Sequence, residues 1–470
     1  MARVAVIGAG ICGLAAALML GRRGHTVTLF EQDARQAQDD LDQDFFHWKR
    51  PRVPQADQPH ALLAPVRTVL RAETPDVYAD MLARGAREYH EFDWFGEHPP
   101  YRAGDEDLVT LRTRRIVLEA ALFAAVRREP AVVVRSGCRV RGLTVEAGRP
   151  ARVTGVRVGE GAHRADLVVD ASGRRSPVPG WLIESGCRSP VAESHRTGIA
   201  YLCRWYRPRP GGPRDPGRVK TGSAAPFALA GVFPSDNGVF AVNLVVSTGD
   251  PTRGALMDPA VFEAAARLFP AIAAWLALAP VPRSAVLAMA GLDNRWTALA
   301  DEYGPVVRGL VNAGDSLVHT NPTLGQGTAL GLRAAQYLAA HADPIADDPT
   351  VYHDWTNRTL RPWFDGQVAA DRANGRRLAE GSPHPDRWSA ARAACADDDP
   401  VVMRARSQVR HLLLHPHEAY GTDEVDRHVG AWLAVRPDFT PRYDGPARDQ
   451  WVAVVGGRQE GVTADTPRHP

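Results

Sequence analysis

Cysteine is scarce in this chain: five residues, at positions 12, 138, 187, 203 and 395, odd in number, widely spaced and without a CxxC pair. That usage argues against a disulfide framework and predicts a reducing, cytoplasmic setting. The sixteen histidines show no HExxH or comparable spacing, so the sequence gives no support to a metal site. Net charge is only +2, from 56 Lys and Arg against 54 Asp and Glu, too little for the broad basic field of a nucleic-acid binder. Positive clusters at 112–115 and 204–209 read instead as local anion contacts or solvated faces. No run of eighteen apolar residues occurs, so no membrane-spanning helix is expected. An apolar strand pattern starts at residue 3, which leaves no room for a signal peptide. Internal repeats are absent as well.

What is present is a chain of 470 residues, 44% hydrophobic, enough for two or three domains with buried cores. Its first thirty-one residues carry the clearest chemistry. Arg3–Ile7 reads as a short buried strand, and Gly8, Gly10 and Gly13 follow it in GxGxxG spacing. A turn that tight leaves backbone N–H groups free to face a pyrophosphate, at the positive end of the helix predicted over 13–23. Gly24 stops that helix, Thr26–Phe30 forms the next strand, and Glu31 ends it, eighteen residues after Gly13. A carboxylate there accepts hydrogen bonds from a ribose diol and repels a 2′-phosphate, favouring FAD or NAD over NADP. A glycine turn joining any parallel strand to its helix is the plainer reading, but strand, helix, strand and carboxylate stand here in the required order.

Downstream, 32–48 is polar, and 49–60 holds three prolines that keep it from becoming helix or strand. A loop of that length in a nucleotide-binding domain is more often functional than idle. Helical periodicity runs over 61–70, 77–86 and 117–127, and short strands over 132–134, 139–145, 152–158 and 166–170. The last strand enters a second glycine turn, Asp170-Ala171-Ser172-Gly173-Arg174-Arg175-Ser176. From 177 to 289 the pattern shifts to apolar strands at 198–206 and 227–246 with apolar helices near 261–268 and 272–278, while 208–217 is an exposed loop. A third buried strand, 306–313, stops at Gly314-Asp315. Asn321-Pro322-Thr323-Leu324-Gly325-Gln326-Gly327 then leads into a helix over 328–341. Beyond 352 the chain reads as helical at first and then increasingly broken by Pro and Asp, with a disordered tail at 457–470.

These three motifs, in this order, resemble the FAD-dependent monooxygenases of the para-hydroxybenzoate hydroxylase fold, over about residues 1–380. Arg52-Val53-Pro54-Gln55 with His60 also looks like the actinomycete branch that includes polyether epoxidases. The resemblance implies an α/β fold: a Rossmann-like FAD-binding domain formed discontinuously by 1–176 and 290–345, a substrate domain at 177–289 on a mostly antiparallel sheet, and a C-terminal helical region at 346–456. It places the FAD pyrophosphate on Gly8, Gly10 and Gly13 and the adenosine ribose on Glu31. Arg114 or Arg115 would reach the phosphate and ribityl region; spacing favours Arg115, neighbouring residues Arg114. Asp315 would bind the ribityl or ribose side, Pro322, Gly325 and Gly327 would border the isoalloxazine ring, and Arg52, Gln55 and His60 would lie near the flavin. Arg52 and His60 are the candidates for side-chain participation in chemistry otherwise centred on the flavin.

The implied reaction is epoxidation or hydroxylation of a hydrophobic secondary metabolite, as in antibiotic biosynthesis, with one oxygen atom delivered from O₂ through a C4a-hydroperoxyflavin. NADH or NADPH would supply electrons. One departure bears on the donor: Ser172-Gly173 replaces the Asp-Gly of many relatives, and Pro179 sits near where their Arg stands. The implied partners are therefore a small hydrophobic substrate and O₂, with NADH or NADPH acting directly or through a separate flavin reductase, and no nucleic acid or membrane span. A flavin-dependent reductase or dehydrogenase that does not use oxygen and a non-catalytic flavin-binding protein are the alternatives. A halogenase fits less well, because no WxWxIP sequence or available lysine is seen. The bland reading also applies to Asp315 as a cap, His60 and Arg52 as loop residues, and Phe227, Phe233, Phe240, Trp275 and Trp296 as core.

Overall fold

In the computed structural model, which describes residues 1–37, 40–381 and 386–456, Arg3–Ile7 sits at the centre of a five-stranded parallel sheet. Thr26–Phe30 and then Val132–Arg135 lie on one side of it, Leu167–Asp170 and then Leu310–Asn312 on the other. The chain thus leaves its first strand in one direction and returns on the opposite side. Such a switch point opens a crevice at the carboxyl ends of the strands. Register brings the three motifs together there: Ile7 and Asn312 both pair with Asp170, so the turns that follow emerge side by side.

The helix Ile11–Arg22 is buried on every residue but Cys12 and Arg22. It is sandwiched by the sheet and by the helices Arg115–Arg128 and Gly327–Ala340. Small residues allow this approach. A Cβ at Gly314, whose φ is +64°, would come within 2.8 Å of the Cys12 Cβ. The Cys12 thiol donates to the Gly331 carbonyl at 3.3 Å, and burial, with Asp315 and Asp170 nearby, pushes it up to about 12. Cys12 is a packing residue, not a nucleophile.

A second sheet is antiparallel, in the order Gly222–Ala225, Ala228–Pro234, Phe240–Ser247, Ile199–Arg207, Val281–Pro282, with Leu287–Ala290 also paired to Ile199–Arg207. The single 227–246 segment expected from the sequence is two strands, because Asp236-Asn237-Gly238 makes a turn with Asn237 at φ +54°. Ala200, Leu202, Val242, Leu244 and Val246 pack on one face against Pro259–Ala266, Pro270–Ala277 and Arg448–Gly456, where Trp451 is fully buried. Tyr201, Asn243, Val245 and Leu229 alternate with them and face a cavity, as the two-residue period of a strand requires.

Three further differences have local causes. Residues Leu41–His47 within the polar segment are helical, capped by the Asp40 carboxylate accepting from the Gln43 amide. A hairpin of Arg87–His90 with Val109–Arg112 lies where no strand was expected. Pro and Asp after residue 386 start helices instead of breaking them: Asp399 caps Pro400–Arg410 through the Val401 and Val402 amides, and Asp386 caps Arg387–Cys395. The expectation of a disordered tail at 457–470 lies outside the described residues. No single helix among the described residues is long and apolar enough to cross a membrane; the apolar pair Pro259–Ala266 and Pro270–Ala277 passes by composition only and is bent by 118°.

Candidate functional site

One cavity of about 2110 Å³ runs from the three glycine turns to the inner face of the antiparallel sheet. Ordinary small-molecule pockets occupy roughly 300–1,000 Å³, so it has room for a dinucleotide and a second molecule together. Gly8 and Gly10 line it; Gly13 does not. Gly8 has φ +99° and a Cβ there would stand 2.6 Å from the Ala171 carbonyl oxygen, whereas a Cβ at Gly10 meets no protein atom within 4 Å. At Gly13 the Cβ would fall 1.9 Å from the Gly8 oxygen. Sequence reasoning put all three glycines on the pyrophosphate; the structure gives Gly13 the work of seating helix on strand, where side-chain bulk is forbidden.

At the end of Thr26–Phe30, the Glu31 carboxylate accepts from the Ala9 amide and from the Asp33 amide, each at 2.8 Å. These bonds fix its orientation and leave lone pairs for a diol. Arg52 is exposed and paired with Asp33, so it belongs to the Glu31 end of the cavity and not beside the flavin position, as the sequence suggested. Gln55 and His60 line the cavity within a loop of successive turns tied to the antiparallel sheet by the Trp205 indole, which donates to the Asp57 carbonyl at 2.8 Å.

His60 Nδ1 stands 2.9 Å from the Gln58 carbonyl oxygen, so Nδ1 carries the proton and Nε2 is an acceptor. Burial, with Arg115 adding to it, pushes His60 down to about 4, and the ring is neutral at physiological pH. Arg115 lines the cavity. Arg114 does not: its side chain is 1% exposed and bound to Asp236, itself 0% exposed, and to Asp42. Of the two open alternatives, only Arg115 faces the space a cofactor would occupy.

Arg115 is held by Glu119, four residues on and one helical turn away, at 2.8 Å, and Glu119 also binds Arg50 at 2.5 Å. Sequence reasoning overlooked Arg50 and Glu119, although the i, i+4 spacing of Arg115 and Glu119 was a readable signal. Burial pushes Glu119 up, but Arg115 and Arg50 outweigh it and hold the carboxyl down to about 2, from an ordinary 4.5. A depressed carboxyl contributes stability that is complete above its unfolded value and is lost as pH falls through the folded one. The Glu119→Gln variant is therefore expected to be less stable at neutral pH, with its deficit shrinking as pH falls from about 4.5 towards 2. Thermal unfolding of both proteins across that window checks this; a constant difference counts against it.

Asp315 lines the cavity with its carboxylate 3.3 Å from His319 Nδ1. Burial raises it, yet His319, Arg115 and Arg174 prevail and keep it below the usual carboxylate range. Pro322 and Gly325–Gly327 form the adjoining wall; Gly325 has φ +70°, and its Cβ would press on Ala61 at 3.2 Å. Behind this wall Asp371 accepts from Asn294 and Gln367, at 2.8 and 2.9 Å, and from Asn321 and Thr323, both at 2.9 Å. The Tyr201 hydroxyl donates to Asn321 at 2.8 Å. This buried network, which no local sequence pattern announces, ties the Pro322 turn to the antiparallel sheet. At the middle motif the Ser172 hydroxyl donates to Asp170 at 2.5 Å, while Arg174 and Arg175 line the cavity. Phe233 and Trp275 border it as well; Phe227, Phe240 and Trp296 are core.

Two helix N-termini open onto the cavity without a side-chain cap: Ile11–Arg22, entered through Gly10, and Gly327–Ala340. Uncapped N–H groups there present partial positive charge to an anion. Lining residues Gln58, His319, Thr320 and Gln326 each bury a polar atom without a protein partner. The donor set, the bare glycine surface at Gly10, the fixed Glu31 carboxylate and the volume of the cavity all fit FAD.

A sequence-family profile described as FAD dependent oxidoreductase matches residues 3–92, the stretch that holds Gly8 to Gly13 and Glu31. Protein Rv3254 of Mycobacterium tuberculosis is 29% identical over 466 residues, covering 91% of this chain and 94% of that protein. Among solved structures, PqsL, a probable FAD-dependent monooxygenase from Pseudomonas aeruginosa, superposes with a TM-score of 0.58 at 19% identity, over 81% of this chain and 99% of that one. A flavoprotein/dehydrogenase from Cytophaga hutchinsonii gives 0.59 at 15% identity, over 93% and 99%. The chain has the fold of these flavoproteins.

Proposed function

We propose that this chain is a FAD-dependent monooxygenase that places one oxygen atom of O₂ into a substrate with a large apolar body, by epoxidation or hydroxylation. The observation that carries the reading is the continuity of the cavity, from a dinucleotide cradle to a chamber walled by Leu229, Val245, Met289 and Leu292. Gly8, Gly10, Glu31, Arg115 and Asp315 would hold the cofactor, which supplies electron transfer and oxygen activation that no side chain here offers. The N–H groups of Gly327 and Thr328, at a helix start without a side-chain cap, would face negative charge carried by the bound cofactor. His60 offers Nε2 as a neutral acceptor. The apolar walls exclude water from the reacting end.

In this reading 1–176 with 290–345 bind FAD, 177–289 bind the substrate and 346–456 close the cavity. NADH or NADPH reduces the flavin directly or through a separate reductase, in the cytoplasm. Kinship with the polyether epoxidases, and so with antibiotic biosynthesis, rests on the loop from Arg52 to His60.

The purified protein is expected to show oxidised-flavin absorption that bleaches with NADH, NADPH or an added reductase. Its product should carry one atom of isotopically labelled O₂. Product formed without oxygen would favour a reductase or dehydrogenase. The Asp315→Ala variant should lose bound flavin, with affinity down at least about tenfold, the loss expected for a charged hydrogen bond. Full flavin occupancy in that variant would show that the ribityl contact lies elsewhere.

A further inference from the structure

The hairpin of Arg87–His90 and Val109–Arg112 forms one wall of the cavity, through Tyr89, Thr110 and Arg112. The Arg112 guanidinium lies over the Tyr89 ring, 3.6 Å from its centroid. Among the described residues no carboxylate, carbonyl or hydroxyl accepts a hydrogen bond from it. The nearby acids are already engaged. Glu91 takes the Thr110 hydroxyl at 3.0 Å, His411 Nε2 at 3.1 Å and Arg410 at 3.5 Å. Asp93 takes His98 at 2.7 Å and the His90 amide at 3.1 Å.

The His411 bond is firmly directed, because its Nδ1 accepts from the Ala64 amide at 3.0 Å, which makes Nε2 the donor to Glu91. The Arg112 guanidinium is partly buried yet open to the cavity, where its N–H groups are free to donate to an acceptor on a ligand, and burial pushes Arg112 below the usual arginine range. The chain runs on from Arg87–His90 into Trp94 and Phe95, which line the same cavity, as do Trp363, Val409 and Tyr420. Arg112 does not belong to the cofactor cradle. The charged and phenolic groups it feels are Tyr89, Glu91, Arg410 and Asp93, whereas Arg115, three residues on, acts on His60 and Asp315.

We infer that the cavity receives an amphiphile whose polar end is an oxyanion, a carboxylate or similar group, held by the Arg112 guanidinium on its Tyr89 platform while the apolar body lies along the aromatic wall. The inference deepens the monooxygenase reading by naming the substrate class. Its test is binding, which stands or falls separately from flavin chemistry. The probes are 8-anilino-1-naphthalenesulfonate and its uncharged counterpart N-phenyl-1-naphthylamine, in equilibrium dialysis with the protein as purified.

Wild type should bind the anion at least about tenfold more tightly than the neutral probe, and Arg112→Gln should remove most of that preference. The neutral probe should change by less than about twofold, and Arg112→Lys should retain part of the preference. Equal affinities for the two probes in wild type would overturn the inference, and that result needs no variant to fold. So would Arg112→Gln binding the anion like wild type, or losing both probes equally while circular dichroism and flavin content stay native. A protein that carries no flavin yet shows the anion preference would sink the oxygenase reading and leave the anion site standing.

Discussion

Alanine at position 13 is expected to abolish flavin retention and destabilise the fold, whereas alanine at position 10 should abolish retention alone. The added Cβ at Gly13 falls 1.9 Å from the Gly8 carbonyl oxygen and 3.3 Å from the Ala171 Cβ. Gly8 has no room to yield, being fixed at φ +99° against the Ala171 carbonyl. The helix must therefore back away from the strand, withdrawing its N-terminal N–H groups, at about 1–3 kcal/mol or more of overpacking strain. At Gly10 the backbone is extended, with φ −72°, and the Cβ projects into open space. That variant should unfold at the temperature of flavin-free wild type and lose flavin affinity by at least about tenfold, because the methyl occupies the surface a pyrophosphate would approach. Flavin-to-protein absorbance ratios and thermal unfolding of both variants separate the two effects. A Gly10→Ala protein that keeps its full complement of flavin would refute the cradle.

The second large effect is expected at Asp236, which does not line the cavity. Replacing it with alanine strands Arg114, which donates to the Asp236 carboxylate from Nε (3.1 Å), from a terminal nitrogen (2.5 Å) and from its backbone amide (2.7 Å). Removing one partner of such a buried pair costs about 3–5 kcal/mol, and Asp42 on the other side of the guanidinium offsets only part of it. Burial raises Asp236, but Arg114 prevails and holds it below the usual carboxylate range. Its contribution is thus complete above the ordinary Asp value of about 4 and is lost on acidification. Denaturant unfolding checks the magnitude. The double variant Arg114→Met, Asp236→Leu should recover much of the loss, since it leaves no buried charge; a double variant no better than Asp236→Ala would mean that the pair fixes geometry that apolar packing cannot.

Arg114 also shows why sequence reading stalls. Arg114 and Arg115 are neighbours of one chemistry, and the choice between them turned on where a helix begins. Arg114 is the residue before Arg115–Arg128 and turns towards the Asp236 turn, while Arg115 faces the cavity. Arg112 was read only as part of a cluster of local anion contacts or solvated faces, since nothing local reports which of those charges lacks an acceptor. The Asp399 and Asp386 caps, in contrast, were legible as helix starts and were misread as breaks, because Pro and Asp serve both purposes.

By itself the sequence determined the parallel strand–turn–helix–strand unit at the N-terminus, with Arg3–Ile7 and Thr26–Phe30 placed to the residue, and the mixed α/β class. Those features follow from local rules: apolar period, glycine spacing and a carboxylate at a strand end. Only the tertiary structure decided that Gly8, Ala171 and Gly314 meet at one crevice, that Gly13 packs while Gly10 exposes, that Arg52 pairs at the Glu31 end, and that Asp371 braces the Pro322 turn. Gly13 is decided by Gly8, five positions back, together with Ala171; the others depend on contacts between residues tens to hundreds of positions apart, which arise when the chain folds back across its own central strand and which no short window of sequence encodes.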